Sequence, residues 1–111
     1  MYSENMKTRV ELWRPLGGLS SWADARNLGI AFSALGDPSR VQMLSCLLDD
    51  GAMDVSEFQS RLGISQPLAS HHLGKLVDAG VLQREKEGRR SIYTITDGAL
   101  ERLSDALVRS E

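Results

Sequence analysis

The chain has 111 residues, 41% of them hydrophobic, 5% aromatic and 25% charged, with a formal net charge of −2. That length suits one small domain whose core is mainly Leu, Val, Ile, Ala and Met. One cysteine, Cys46, excludes an intramolecular disulfide framework, and no apolar run approaches the ~20 residues that span a bilayer. With no apolar signal region at the N-terminus, the expectation is a cytoplasmic protein with no membrane partner.

Residues 1–18 are irregular and end in Pro15-Leu16-Gly17-Gly18, which reads as an N-terminal arm before a domain over 19–111. Ser20 or Ser21 can cap a first helix running to about Leu35, with Trp22, Ala25, Leu28, Phe32 and Leu35 as its apolar stripe. Gly36-Asp37-Pro38 breaks it, and Asp37 then caps a second helix with Pro38 at its first position. That helix is expected to reach about Asp49, using Val41, Leu44, Leu47 and Leu48, with Cys46 as a small buried hydrophobe. A third helix starts at Asp54 or Ser56 and runs to Leu62 with Phe58 inward.

Gly63 supplies a turn, Ser65 a further N-cap, and Pro67 is tolerated only in a first helical turn. Ala69, Leu73, Leu76 and Val77 repeat at helical spacing, so the opposite face carries Gln66, Ser70, His71, Gly74 and Lys75. That face is small, polar and nearly free of acids, which suits a helix lying in a major groove. A solvated helix face has the same composition, and the residues that follow decide between them. After the Ala79-Gly80 stop, residues 81–86 and 91–96 read as two strands joined by Glu87-Gly88-Arg89-Arg90. A hairpin with basic residues directly after a recognition helix is a wing, and Arg89 and Arg90 at its tip suit phosphates or a minor groove.

Asp97 is expected to cap a last helix from Gly98 to about Ser110, with Leu100, Leu103, Leu107 and Val108 apolar. The fold class is mainly α with a small β-hairpin, in the order ααααββα. Residues 61–96 hold six Lys and Arg against three acids, a local charge of +3 on an acidic chain. A basic face on an acidic body fits approach to DNA from one side. The DNA-binding residues read from this pattern are Ser65, Gln66, Pro67, Ser70, His71, Lys75, Arg84, Lys86, Arg89 and Arg90. The apolar stripes of the first and last helices exceed what one small domain covers, which points to a homodimer through Trp22, Leu28, Leu103 and Leu107. An enzyme is disfavoured: no activated serine or cysteine arrangement, phosphate-binding glycine loop or complete metal-ligand spacing is present. A winged helix used only for protein–protein contacts is the competing class.

Ala34-Leu35-Gly36-Asp37-Pro38-Ser39-Arg40 resembles the signature that opens the second helix of ArsR/SmtB-type regulators. Leu62-Gly63-Ile64-Ser65-Gln66-Pro67, followed by Ser70-His71-His72-Leu73, resembles the recognition-helix motif of that family. Ala79-Gly80-Val81-Leu82 and Glu87-Gly88-Arg89-Arg90 with Tyr93 resemble its first wing strand and wing. The resemblance covers about residues 28–108. It implies winged-helix homodimers, built through the first and last helices, that bind operator DNA and usually repress.

The resemblance also implies effectors, often metals, and here the chain departs from the pattern. One family site uses a Cys-x-Cys pair opening the helix before the turn, but Ala52-Met53-Asp54-Val55-Ser56-Glu57-Phe58 has no cysteine. Another uses Asp and His on the last helix, where this chain has Asp97, Glu101 and Asp105 at i, i+4, i+8 and no histidine. Such a row is either a solvated face or part of a hard-cation site. His71 and His72 project about 100° apart and do not readily chelate one ion from one helix; His71 reads as a DNA-facing donor, His72 as a half-buried hydrogen-bonding residue. The effector stays open between a divalent metal such as nickel or zinc, on carboxylate and imidazole ligands, and none.

Overall fold

The computed structural model describes residues 22–108, so the arm, Ser20 and Ser21 lie outside the described residues. Among the described residues, five helices and a three-stranded antiparallel sheet follow one another as α1 (Trp22–Ala34), α2 (Pro38–Asp50), β1 (Met53–Asp54), α3 (Val55–Leu62), α4 (Gln66–Asp78), β2 (Leu82–Glu87), β3 (Arg90–Ile95) and α5 (Ala99–Val108).

Local chemistry sets most boundaries. Asp37 Oδ1 accepts from the amides of Ser39 at 2.8 Å and Arg40 at 3.3 Å, and Pro38 occupies the first helical position, where its missing N–H costs nothing. Partial burial pushes the Asp37 carboxyl upward, but the Arg40 and Ser39 amides, aided by the charges of His72 and Arg40, outweigh it and hold it below its ordinary value. At α3, Asp54 Oδ1 accepts from the Glu57 amide at 2.9 Å while Glu57 Oε1 accepts from the Asp54 amide at 2.8 Å, a reciprocal capping box. Gly63 closes α3 at φ 67°, a left-handed conformation that side chains resist, and so sets the turn into α4. Ser65 Oγ then accepts from the Leu68 amide at 3.2 Å to start α4.

The helices and the sheet enclose one core. Met43 and Leu47 of α2, Phe58 of α3, Ala69, Leu73 and Leu76 of α4, and Val81, Leu82 and Tyr93 at the sheet are buried together. Burying each large side chain stabilises the fold by about 1.5–3 kcal/mol before entropy is counted. Phe58 meets the Tyr93 ring edge-on at a centroid distance of 6.3 Å, which ties α3 to β3.

Four expectations change. The sheet has a third strand, because Met53 and Asp54 pair with Tyr93 and Ile92 and give the order β1-β3-β2. On α2 the inward face is Met43, Cys46 and Leu47; Val41 and Leu48 are exposed. The last helix begins at Ala99, with the Arg102 amide donating to the Gly98 carbonyl at 3.1 Å, so Gly98 rather than Asp97 occupies the cap position. His72 is buried, not half-buried, and its Nδ1 has no hydrogen-bond partner among the described residues.

Candidate nucleic-acid interface

α4 is pinned to the core through Ala69, His72, Leu73 and Leu76, all buried. At 100° per residue, Pro67, His71, Lys75 and Asp78 lie on the side opposite that stripe with Leu68 at its edge, while Gln66 is on the stripe side in the first turn; all six are exposed. Ser70 is partly exposed and accepts from Gln66 Nε2 at 3.0 Å. That bond uses one N–H of the exposed Gln66 amide; its oxygen and second N–H form the type of donor–acceptor pair that matches an adenine edge. His71 and Lys75, one turn apart, continue the face with donors. Asp78, at its far end, is the one acid on the helix.

Leu68, 43% exposed in the first turn of this face, joins the residues expected to meet DNA, although the sequence pattern did not single it out. An apolar side chain among base-reading donors is suited to a thymine methyl group. Its signal is present in the spacing: at 100° per residue it falls beside Lys75, outside the Ala69–Leu73–Leu76 stripe.

The hairpin sorts its charges by pleat. Arg84 and Lys86 share a face with the buried Leu82, whereas Glu85 and Glu87 lie on the other. Cross-strand pairing sets Arg84 opposite Tyr93 and Lys86 opposite Ser91, so the basic face continues outward from the core side. Glu87 pairs with Arg90, leaving Gly88 and Arg89 as the two-residue turn, with Gly88 at φ 65° in the first central position. All four basic residues are exposed, but they are not equivalent. Arg90 Nε donates to Asp54 Oδ2 at 2.9 Å, and its Nη2 lies 3.9 Å from Glu57. Arg90 therefore anchors the wing to the α3 cap, and Arg89 is the tip charge that makes no ion pair with a described residue.

Asp54 carries both jobs. Its carboxyl is held below its ordinary value by the Glu57 amide first, against some burial, with help from Ser56 and Arg90. On the other flank, Lys75 borders a cleft of about 320 Å³ whose walls include Ser33 of α1 and Arg40 of α2.

The residues expected at a dimer contact separate. Leu28 and Leu103 are only 4% and 5% exposed and belong to the core of the single chain. Leu107 is 72% exposed, and the Trp22 side chain lies outside the described ones. The metal candidates do not converge either. Asp97 precedes α5, Glu101 and Asp105 are exposed along it, and among the described residues no three His, Cys, Asp or Glu side chains are grouped to hold a metal. Cys46 is free and buried. No helix among the described residues is long and apolar enough to cross a membrane.

Comparison with known proteins meets the same residues. The family described as "Bacterial regulatory protein, arsR family" matches residues 37–84, from the α2 cap into the first wing strand. An HTH-type transcriptional regulator of Methanocaldococcus jannaschii is 41% identical over 66 residues, 60% of this chain and 74% of that protein. The biofilm growth-associated repressor of Agrobacterium fabrum is 34% identical over 83 residues, 75% of this chain and 70% of that one. Among solved structures, HlyU from Vibrio cholerae superposes with a TM-score of 0.66 at 27% identity, covering 74% of this chain and 90% of that one. The antimony-specific transcriptional repressor AntR superposes with a TM-score of 0.65 at 25% identity, covering 78% of each chain. With a winged helix-turn-helix fold and relatives matched over most of their length, the chain belongs to the arsR family of bacterial regulatory proteins, a family of transcriptional regulators and not of enzymes.

Proposed function

We propose that this chain is a cytoplasmic, homodimeric repressor that reads a near-palindromic operator with α4 and steadies itself on flanking phosphates with its wing. The observation that carries this reading is the exposed surface of α4: Gln66, Leu68, His71 and Lys75 are exposed together beside a hairpin whose Arg84, Lys86 and Arg89 are also exposed. Donors aimed at base edges supply discrimination; basic residues to one side supply affinity through counterion release.

Dimerisation is supported by what α1 and α5 leave uncovered. Ile30 and Leu107 are large exposed hydrophobics on the first and last helices, and a two-fold contact would cover each of them twice. Two copies would then set their α4 helices about one duplex turn, or a multiple of it, apart.

Among the described residues, Asp97, Glu101 and Asp105 do not group with a further His, Cys, Asp or Glu ligand. A nickel or zinc effector would draw ligands from two copies or from residues outside 22–108. The alternative is a regulator without a metal effector.

The test is a duplex selected from a random library by the wild-type protein, followed by sedimentation of the complex. A selected sequence with two related half-sites and two chains per duplex is the expected result. Failure to enrich any sequence, or one chain per site, would overturn the reading. Adding nickel or zinc to the same complex separates a metal-responsive repressor, which would release the duplex, from one that is indifferent to metal.

A further inference from the structure

Gly74 stands in the middle of α4, four residues from its C-terminal end, in ordinary helical geometry with no positive φ. Glycine is the poorest helix former after proline, so its presence there weakens the helix that carries the site. Among the described residues, nothing asks for it: a Cβ built at Gly74 meets no atom within 4 Å beyond its chain neighbours and the local backbone of the helix, so no described neighbour would be displaced by alanine. Its position is on the outward side, between His71 one turn before it and Asp78 one turn after, and next to Lys75. Gly29 of α1 is equally open, so the space alone marks no site; at Gly74 it coincides with the face of α4 that carries the exposed His71 and Lys75, where an outside molecule could come close to the backbone.

We propose that Gly74 is the point of closest approach between α4 and double-stranded DNA. The absent side chain leaves a notch floored by helix backbone and flanked by His71 and Lys75. The duplex fits into that notch when Gln66 and Leu68, nearer the N-terminal end, reach the bases. The inference rests on the DNA-binding reading and adds to it a residue that works by having no side chain. It also gives a test with opposite signs: filling the notch must strengthen the protein and weaken the complex.

The experiment compares wild type, Gly74→Ala and Gly74→Leu for thermal stability, for sedimentation in the absence of DNA, and for affinity toward a duplex that wild type has selected from a random library. Gly74→Ala should melt roughly 4 °C or more above wild type, because alanine favours the helix and meets no clash. It should sediment as wild type does. Its affinity for the duplex should fall roughly five- to hundredfold, the range expected when one extra group is forced into a closely packed contact. Gly74→Leu, which stays outside the core, should fold and bind more weakly still. A Gly74→Ala variant that is more stable and binds the duplex within about twofold of wild type would overturn the inference while leaving DNA binding intact. A wild-type protein that selects no duplex would overturn the DNA-binding reading itself, and this inference with it.

Discussion

Arg90 Nε donates to Asp54 Oδ2 at 2.9 Å, joining the base of the wing to the residue that caps the helix before the turn. Asp54 is at once the cap of α3, a strand residue opposite Ile92 and the partner of this guanidinium. One carboxylate thus fixes where the helix-turn-helix begins and how the hairpin is set against it. Arg89, one residue away in the chain, shares none of these contacts, so two adjacent arginines have separable roles.

Arg89→Ala and Arg90→Ala should therefore fail differently. Arg89→Ala should leave the melting temperature unchanged, weaken every duplex by a similar factor and reduce the salt slope by about one. Arg90→Ala should lower the melting temperature by releasing the wing from α3, with a smaller change in the slope. Salt titration of DNA binding alongside thermal melts checks both. Equal effects of the two substitutions on slope and melting would contradict the assignment.

The two caps predict acid behaviour. The Asp37 and Asp54 carboxyls are both held below their ordinary value of 3.8, so their folded pKa lies below the unfolded one. The stability they add is complete above that ordinary value and is lost as pH falls through the lower folded pKa. Wild type should lose stability steeply on acidification below about pH 4, and Asp37→Asn with Asp54→Asn should flatten that limb while lowering stability at neutral pH. Denaturant unfolding as a function of pH measures it; a double variant with the wild-type acid limb would assign the loss to other groups.

Base reading by α4 should divide by chemistry. Gln66→Ala should lose discrimination at an A·T pair, by roughly 1–3 kcal/mol if the amide bonds the adenine edge in bidentate fashion. Leu68→Ala should lose sensitivity to the thymine methyl. Replacing each operator thymine in turn by deoxyuridine should weaken wild type at one position, and at that position Leu68→Ala should bind both duplexes equally. A wild-type profile flat to every such replacement would remove Leu68 from base reading.

Most of this architecture is written locally. Asp37-Pro38, Gly63 and Ser65-Gln66-Pro67 act within a few residues of themselves, and the helices begin and turn where those residues require. The alternation Arg84-Glu85-Lys86-Glu87 likewise gives the hairpin a basic and an acidic face through residue order alone. What stays hidden depends on partners distant in the chain. Met53 and Asp54 carry no strand pattern of their own and become a strand because β3 lies beside them. Arg90 looks like a second tip charge until Asp54 is placed next to it. Val41 and Leu48 are apolar at helical spacing, yet Met43, Cys46 and Leu47 occupy the inward face of α2.

The α1–α5 contact within one chain holds a buried charge pair. Arg102 Nη2 lies 3.9 Å from Asp24 Oδ1, both side chains are largely buried, and Arg102 Nε has no hydrogen-bond partner among the described residues. Removing one partner leaves the other charge buried, so Asp24→Ala should destabilise the fold by roughly 3 kcal/mol. Asp24→Leu with Arg102→Met should recover most of that loss. Chemical denaturation of the three proteins checks it, and an Asp24→Ala variant as stable as wild type would show that water or another group already neutralises Arg102.

In the proposed dimer the same two helices would supply the contact with what they leave exposed. Leu28 and Leu103 are already covered inside the chain, so substituting them should unfold the protomer before it says anything about assembly. Leu107 is different: at 72% exposure it packs on little within the chain. Leu107→Asp should therefore leave the melting temperature of the isolated fold nearly unchanged while placing two like charges against each other across a two-fold axis. The expected result is a folded monomer in sedimentation whose affinity for a single half-site is kept and whose affinity for the full operator falls to about that of the half-site, because the second contact is no longer tethered to the first. A Leu107→Asp protein that remains dimeric and binds the full operator as wild type does would place the two-fold contact elsewhere than α5.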